Sequence, residues 1–213
     1  MQAVVFDMDG VLVDSEQLWD EVRRQVAASH GGTWNDEATR AMQGMSTPEW
    51  AEYLVTEVGV QLTPDEVART VIDEMRNRYA GAPPVLPGAP DALGKVAERY
   101  PVAIASSSPP VLIESFLTAT GLADRVPVAV SSEQVAKGKP APDVYLEAAS
   151  QLGVAAEECA AVEDSTSGLQ AALAAGMTVY AVPNPHYPPD ETVVARTHHT
   201  LDGVGDLPAA LGL

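Results

Sequence analysis

Four short stretches hold residue types that could work together on a phosphorylated or otherwise anionic substrate. In Phe6-Asp7-Met8-Asp9-Gly10 two aspartates follow an apolar run and precede a glycine. Both carboxylates serve one site if the chain turns there, and Gly10 permits such a turn. An Asx-turn with solvent-facing acids is the plain alternative. Ser106 ends a second apolar run. Its hydroxyl and the following N–H groups of Ser107 and Ser108, close to a helix start at Pro109, can hold an anion, although Ser-Ser-Ser-Pro is also an ordinary helix cap. Lys139, in Gly138-Lys139-Pro140-Ala141-Pro142-Asp143, supplies a cation before a rigid proline turn, or is a surface lysine. Glu163-Asp164 follow another apolar run. They suit a Mg²⁺ site completed by an acid from elsewhere, or else a helix N-cap.

The elements that would position these groups are short β-rich runs separated by helical stretches. Residues 2–6, 102–105, 126–130, 159–162 and 178–182 are apolar and end in polar residues. This is the pattern of buried parallel strands whose C-terminal ends carry the chemistry. Between them, Ser108 with Pro109 opens a helix that Gly121 ends, Pro142-Asp143 opens one that Gly153 ends, and Ser167 begins one that Gly176 ends. The expected fold class is therefore α/β: a three-layer, Rossmann-like core with a parallel sheet. Residues 16–80 differ in being all-helical. Leu18, Val22 and Val26 share a face, Thr47-Pro48-Glu49 starts a helix, and Thr63-Pro64-Asp65-Glu66 is a capping box. Gly81-Ala82-Pro83-Pro84 reads as a linker. The expected organisation is a core of residues 1–15 and 83–213 with an inserted helical lobe of residues 16–82, placed to act as a lid.

Composition narrows the partners. Acids outnumber bases 30 to 12, for a net charge of −18. Such a surface repels polyanions, so no nucleic-acid partner is expected, and a phosphorylated substrate needs a local positive site. The single cysteine, Cys159, lies in an apolar run and reads as a core residue; no intramolecular disulfide can form. No apolar run approaches the roughly 20 residues of a membrane span, and no signal peptide is evident. A cytoplasmic, monomeric enzyme with a small phosphorylated metabolite as partner is expected.

Acid pair, hydroxyl, lysine and second acid pair, in that order at successive strand ends, resemble the haloacid dehalogenase superfamily over nearly the whole chain. Asp7-Met8-Asp9-Gly10-Val11-Leu12-Val13-Asp14-Ser15-Glu16 is similar to its first motif. Ser106 is similar to the second, Lys139 in Lys-Pro-Ala-Pro-Asp to the third, and Glu163-Asp164-Ser165 with Gly168 to the fourth. The helical insert resembles the family's small α-helical cap. The resemblance implies that Asp7 is the nucleophile and Asp9 the general acid/base. It implies Mg²⁺ held by Asp7, the Asp9 carbonyl and Asp164, with Glu163 beside them, and phosphate oxygens bound by Ser106, Ser107 and Lys139. An aspartate at position 9 points to phosphate esters, whose leaving alkoxide needs a proton, and away from dehalogenation.

Within the superfamily the chain resembles β-phosphoglucomutases and sugar phosphatases. Where mutases carry histidine, arginine and lysine in the cap, this chain has Trp19, Thr47 and Met75, with Arg76 or Arg78 as possible substitutes. The resemblance therefore implies a phosphatase acting on a sugar or polyol phosphate through an aspartyl-phosphate, with a mutase as the alternative. Trp19, Gln43, Met45, Ser46 and Trp50 are the candidate specificity residues, lobe packing being the alternative role.

Overall fold

The computed structural model describes residues 1–42 and 45–213, and only the backbone of Asp36; the specificity candidate Gln43 lies outside the described residues. The chain runs β1 (Ala3–Phe6), α1 (Glu16–Ser29), α2 (Asp36–Ala41), α3 (Thr47–Thr56), α4 (Pro64–Gly81), α5 (Ala89–Ala97), β2 (Val102–Ser106) and α6 (Pro110–Thr120). It continues with β3 (Val128–Ser131), α7 (Asp143–Leu152), β4 (Cys159–Glu163), α8 (Thr166–Ala174), β5 (Thr178–Ala181), α9 (Glu191–Val194), β6 (His199–Thr200) and α10 (Leu207–Ala210).

All paired strands are parallel, in the order β3-β2-β1-β4-β5-β6. The chain winds outward from β1 through β2 to β3, then returns to the other side of β1 for β4. The crevice beyond the C-terminal ends of β1 and β4 is thus the switch point where such sheets bind ligands. Alternation along the strands splits the core in two. Val4, Phe6, Ile104, Ala160 and Val162 face the layer containing α5 and α6, while Ala3, Val5, Ala103, Ala105 and Ala161 face α7 and α8. The first of these clusters continues into the four helices that follow β1, through Val22, Val26, Leu54, Val67, Val71, Met75 and Tyr79.

The punctuation expected from the sequence is present at α4, where Thr63 and Glu66 exchange capping hydrogen bonds. Gly121 and Gly153 end α6 and α7 with φ of 68° and 70°. Three local expectations are corrected. The helix expected from Ser108 starts at Pro110, with Pro109 as its N-cap, because the Ser108 hydroxyl is engaged elsewhere. The third strand begins at Val128, since residues 123–125 form a 3₁₀ turn before it. The helix expected from Ser167 opens at Thr166, capped by Ser165, whose hydroxyl accepts from Gly168 N–H. No described helix is long and apolar enough to cross a membrane.

Candidate active site at the β1–β4 switch point

Past Phe6 the chain leaves the sheet in a tight loop. Val13 N–H donates to the Met8 carbonyl (3.0 Å), Gly10 N–H donates to the Val13 carbonyl (2.7 Å), and Gly10 sits at φ +82°. Met8 is buried in the core while Asp7 and Asp9 both line the cavity above the strand ends. Gly10 is required twice over. Its φ is in the left-handed region, and a Cβ there would lie 1.9 Å from Asp164 Oδ2.

Asp9 is gripped by three hydroxyls. Ser15 donates to Oδ1, while Ser108 (2.7 Å) and Ser106 (3.2 Å) donate to Oδ2. Ser106 Oγ also accepts from Ser108 N–H (3.0 Å), and Ser131, at the end of the neighbouring strand, donates to the Ser108 carbonyl (2.7 Å). The β2 loop is thereby tied to β3. Ser106 is fully buried and turned toward Asp9, whereas Ser107 and Ser108 line the cavity.

Lys139 reaches in from the loop before α7. Its Nζ donates to Asp7 Oδ1 (2.6 Å) and Glu163 Oε1 (2.7 Å), and lies 5.1 Å from the centroid of the Tyr145 ring. Burial opposes its charge, but Asp7 and Glu163 outweigh that and hold the ammonium above its ordinary pKa. Glu163, the last residue of β4, is completely buried. Besides Lys139, its Oε1 accepts from the Tyr145 hydroxyl (3.2 Å). Its Oε2 accepts from Asp164 N–H (2.8 Å), Ser165 N–H (2.9 Å) and the Ser165 hydroxyl (3.0 Å). Gly168 makes room for this carboxylate, because a Cβ at that position would fall 1.5 Å from Glu163 Oε1.

Asp7, Glu163 and Asp164 each offer an oxygen within 4.8 Å of the others. Burial raises the pKa of Asp7 to about 8, with Glu163 and Asp9 adding to the rise against the pull of Lys139. Burial, with Glu163 and Asp7, also raises Asp164. Three buried carboxylates share one lysine, and all-oxygen donors of this kind suit a hard divalent cation such as Mg²⁺. Asp164 accepts no hydrogen bond from the described residues, nor does Asp7 Oδ2, so both are open to a cation. Glu163 is saturated by its five donors and orients the others.

The opposite wall of the cavity comes from the helices after β1. Trp19, Met45 and Trp50 line it, as do Glu16, Asp20 and Arg23. Ser46, by contrast, spends its hydroxyl on Glu49 (2.6 Å), faces solvent, and borders a neighbouring opening lined also by Ser107 and Lys139. Met75 is a core residue. Arg78 pairs with Glu74 at 2.9 Å on the surface, and neither it nor Arg76 lines the cavity. Sequence reasoning missed Ser15, Tyr145, Glu16 and Arg23, and of Ser108 it missed the hydroxyl's contact with Asp9. Ser15 and Glu16 fall within the first motif's span, which was the one available signal.

A doubly wound parallel sheet with carboxylates, hydroxyls and a lysine converging at its switch point, facing the helices that follow β1, is the arrangement of an enzyme that handles a phosphorylated or otherwise anionic substrate. Family comparison names it: residues 1–176 match the haloacid dehalogenase-like hydrolases, and the chain belongs to that family, in its β-phosphoglucomutase-like and sugar-phosphatase group. A phosphorylated carbohydrates phosphatase of Thermotoga maritima is 33% identical over 184 residues, covering 85% of each chain. Hexitol phosphatase B of Escherichia coli K12 is 35% identical over 190 residues, covering 86% of this chain and 84% of that one. The solved structure of CbbY from Rhodobacter sphaeroides in complex with phosphate superposes with a TM-score of 0.89 at 25% identity, covering all of both chains. The chain is a phosphatase.

Proposed function

We propose that the protein is a Mg²⁺-dependent phosphatase that hydrolyses a small sugar or polyol phosphate through an aspartyl-phosphate on Asp7. The observation that carries this reading is the pairing of Asp7 with Asp9. One carboxylate is fixed by Lys139 with its second oxygen open, and the other is held beside it by three serine hydroxyls. The open oxygen of Asp7 attacks phosphorus and the bond from phosphorus to the leaving oxygen breaks. Asp9, entering this step protonated, gives its proton to the departing alkoxide. It then takes a proton from the water that attacks the aspartyl-phosphate, which releases phosphate and regenerates Asp7. Serine hydroxyls accept as well as donate, so the same three groups accommodate both forms of Asp9.

Asp7, the Asp9 carbonyl and Asp164 would hold Mg²⁺, which offsets the repulsion between the carboxylate nucleophile and an anionic phosphate. Lys139 fixes the attacking carboxylate and, with Ser107, takes phosphate oxygens; Ser106 serves chiefly by holding Asp9. Glu163 is a positioning residue. Residues 16–82 act as the cap, and Trp19, Met45 and Trp50 shape the space for the leaving group. The relatives named as hexitol and phosphorylated-carbohydrate phosphatases support that substrate class.

A mutase is the second reading: it needs a cation on the cap side of the cavity, and Arg23 lies there, but among Glu16, Asp20 and Asp9. Phosphate release from a panel of hexitol, ketose and aldose phosphates with Mg²⁺ tests the phosphatase. It predicts turnover by the wild type and none by Asp7→Asn. Conversion of β-glucose 1-phosphate to glucose 6-phosphate, with the 1,6-bisphosphate as activator, would instead establish the mutase.

A further inference from the structure

Arg23 sits on α1, one helical turn beyond Trp19. Its guanidinium carbon lies 4.9 Å from the Trp19 ring centroid and 5.0 Å from that of Trp50, the two rings being 6.1 Å apart and tilted by 56°. The aromatic faces hold the cation in place. Among the described residues Nε is buried without a hydrogen-bond partner, and Arg23 forms no ion pair of 4.0 Å or less. Asp20 is already taken, its Oδ2 by Arg24 (2.6 Å) and its Oδ1 by Thr39 (2.7 Å). A buried donor left unpaired is costly, and an arginine that lines a cavity with no protein acceptor among the described residues marks a place for a ligand acceptor.

We propose that Arg23 is the specificity-determining residue of the cap, donating hydrogen bonds to hydroxyl oxygens of a polyhydroxylated leaving group. This rests on the sugar- or polyol-phosphatase reading above and names the residue that enforces it. The choice of hydroxyls over a second anion comes from the charges around the guanidinium. Glu16, Asp20 and Asp9 are all within its electrostatic reach, and Glu16 and Asp20 line the same cavity wall. A carboxylate or second phosphate at Arg23 would stand among these three acids. A hydroxyl accepts from Arg23 and donates to a neighbouring carboxylate, so it satisfies both signs at once. The Trp19 ring offers an apolar face for the carbon chain.

The test compares kcat/KM for sorbitol 6-phosphate with that for acetyl phosphate, which has no hydroxyl, in wild type, Arg23→Gln and Arg23→Lys. Removing a charged donor should lower the ratio of the two about 10- to 100-fold in R23Q, mostly through KM for the hexitol phosphate. R23K should recover part of the loss, since lysine keeps the charge without the planar fork. Equal loss on both substrates would overturn the proposal, because it would mean that Arg23 only packs the cap. So would an unchanged ratio, or, with 2-phosphoglycolate and a hexose bisphosphate assayed alongside, a loss confined to those two, which would make the site an anion subsite. Failure of the phosphatase reading looks different: wild type would release phosphate from neither substrate.

Discussion

Gly168→Ala should destabilise the protein although alanine is the better helix former. Gly168 lies within α8, and the new Cβ would sit 1.5 Å from Glu163 Oε1 and 1.9 Å from its Cδ. A surface glutamate would swing aside at little cost. Glu163 cannot, because it is fully buried and held by Lys139, Tyr145, two backbone N–H groups and Ser165. Displacing it breaks a buried, hydrogen-bonded ion pair, which costs about 3–5 kcal/mol. The helix gains back up to about 1 kcal/mol from replacing glycine. The net loss should be about 2–4 kcal/mol, a large share of the roughly 5–15 kcal/mol of a typical domain. In a Glu163→Ala background the obstacle is gone, and the same substitution should stabilise by about 0.5–1 kcal/mol. Urea unfolding of the wild type, both single variants and the double variant reads the sign change from the midpoints at constant slope. Additive losses, or a neutral Gly168→Ala, would refute the packing of Glu163 on Gly168.

Four further outcomes are expected. Ser108→Ala removes the 2.7 Å donor to Asp9 and should lower kcat about 10-fold with little change in KM, in steady-state phosphate release. Lys139→Met leaves Asp7 and Glu163 facing each other without their cation; urea unfolding should show a loss of about 3–5 kcal/mol, and activity should vanish. Asp7 is raised from 3.8 to about 8 by burial and its acidic neighbours, so in the metal-free protein the folded state holds a proton that the unfolded chain has released across that window. Stability should therefore fall as pH rises from about 4 to 8. Mg²⁺ should raise the melting temperature more at pH 8 than at pH 6, as read by thermal unfolding with EDTA or MgCl₂.

The parts of the site that lie at strand ends were legible. Asp7, Ser106 and Glu163 each follow or close an apolar run, and the α/β alternation brings those runs into one sheet. The groups that orient them were not. Ser108 sits before a double proline, where a serine reads as a helix cap, and only the packing of the β2 loop against Ser131 turns it toward Asp9. Tyr145 fits the apolar face of α7 and shows no sign that its hydroxyl meets Glu163. Arg23 and Arg24 are adjacent on α1 and identical in type. Which one turns inward depends on the Trp19 and Trp50 rings, and Trp50 arrives from another helix. The edge strand β6, two residues long and exposed, carries no apolar run to announce it.

The central claim is that Asp7 carries the phosphoryl group between substrate and water. Acid quenching of the enzyme during turnover, reduction with borohydride and peptide mapping by mass spectrometry test it directly, since reduction converts an aspartyl-phosphate to homoserine. The account predicts homoserine at position 7, in a Mg²⁺-dependent amount, and none in Asp7→Asn. Homoserine at another aspartate, or steady turnover by Asp7→Asn, would contradict it.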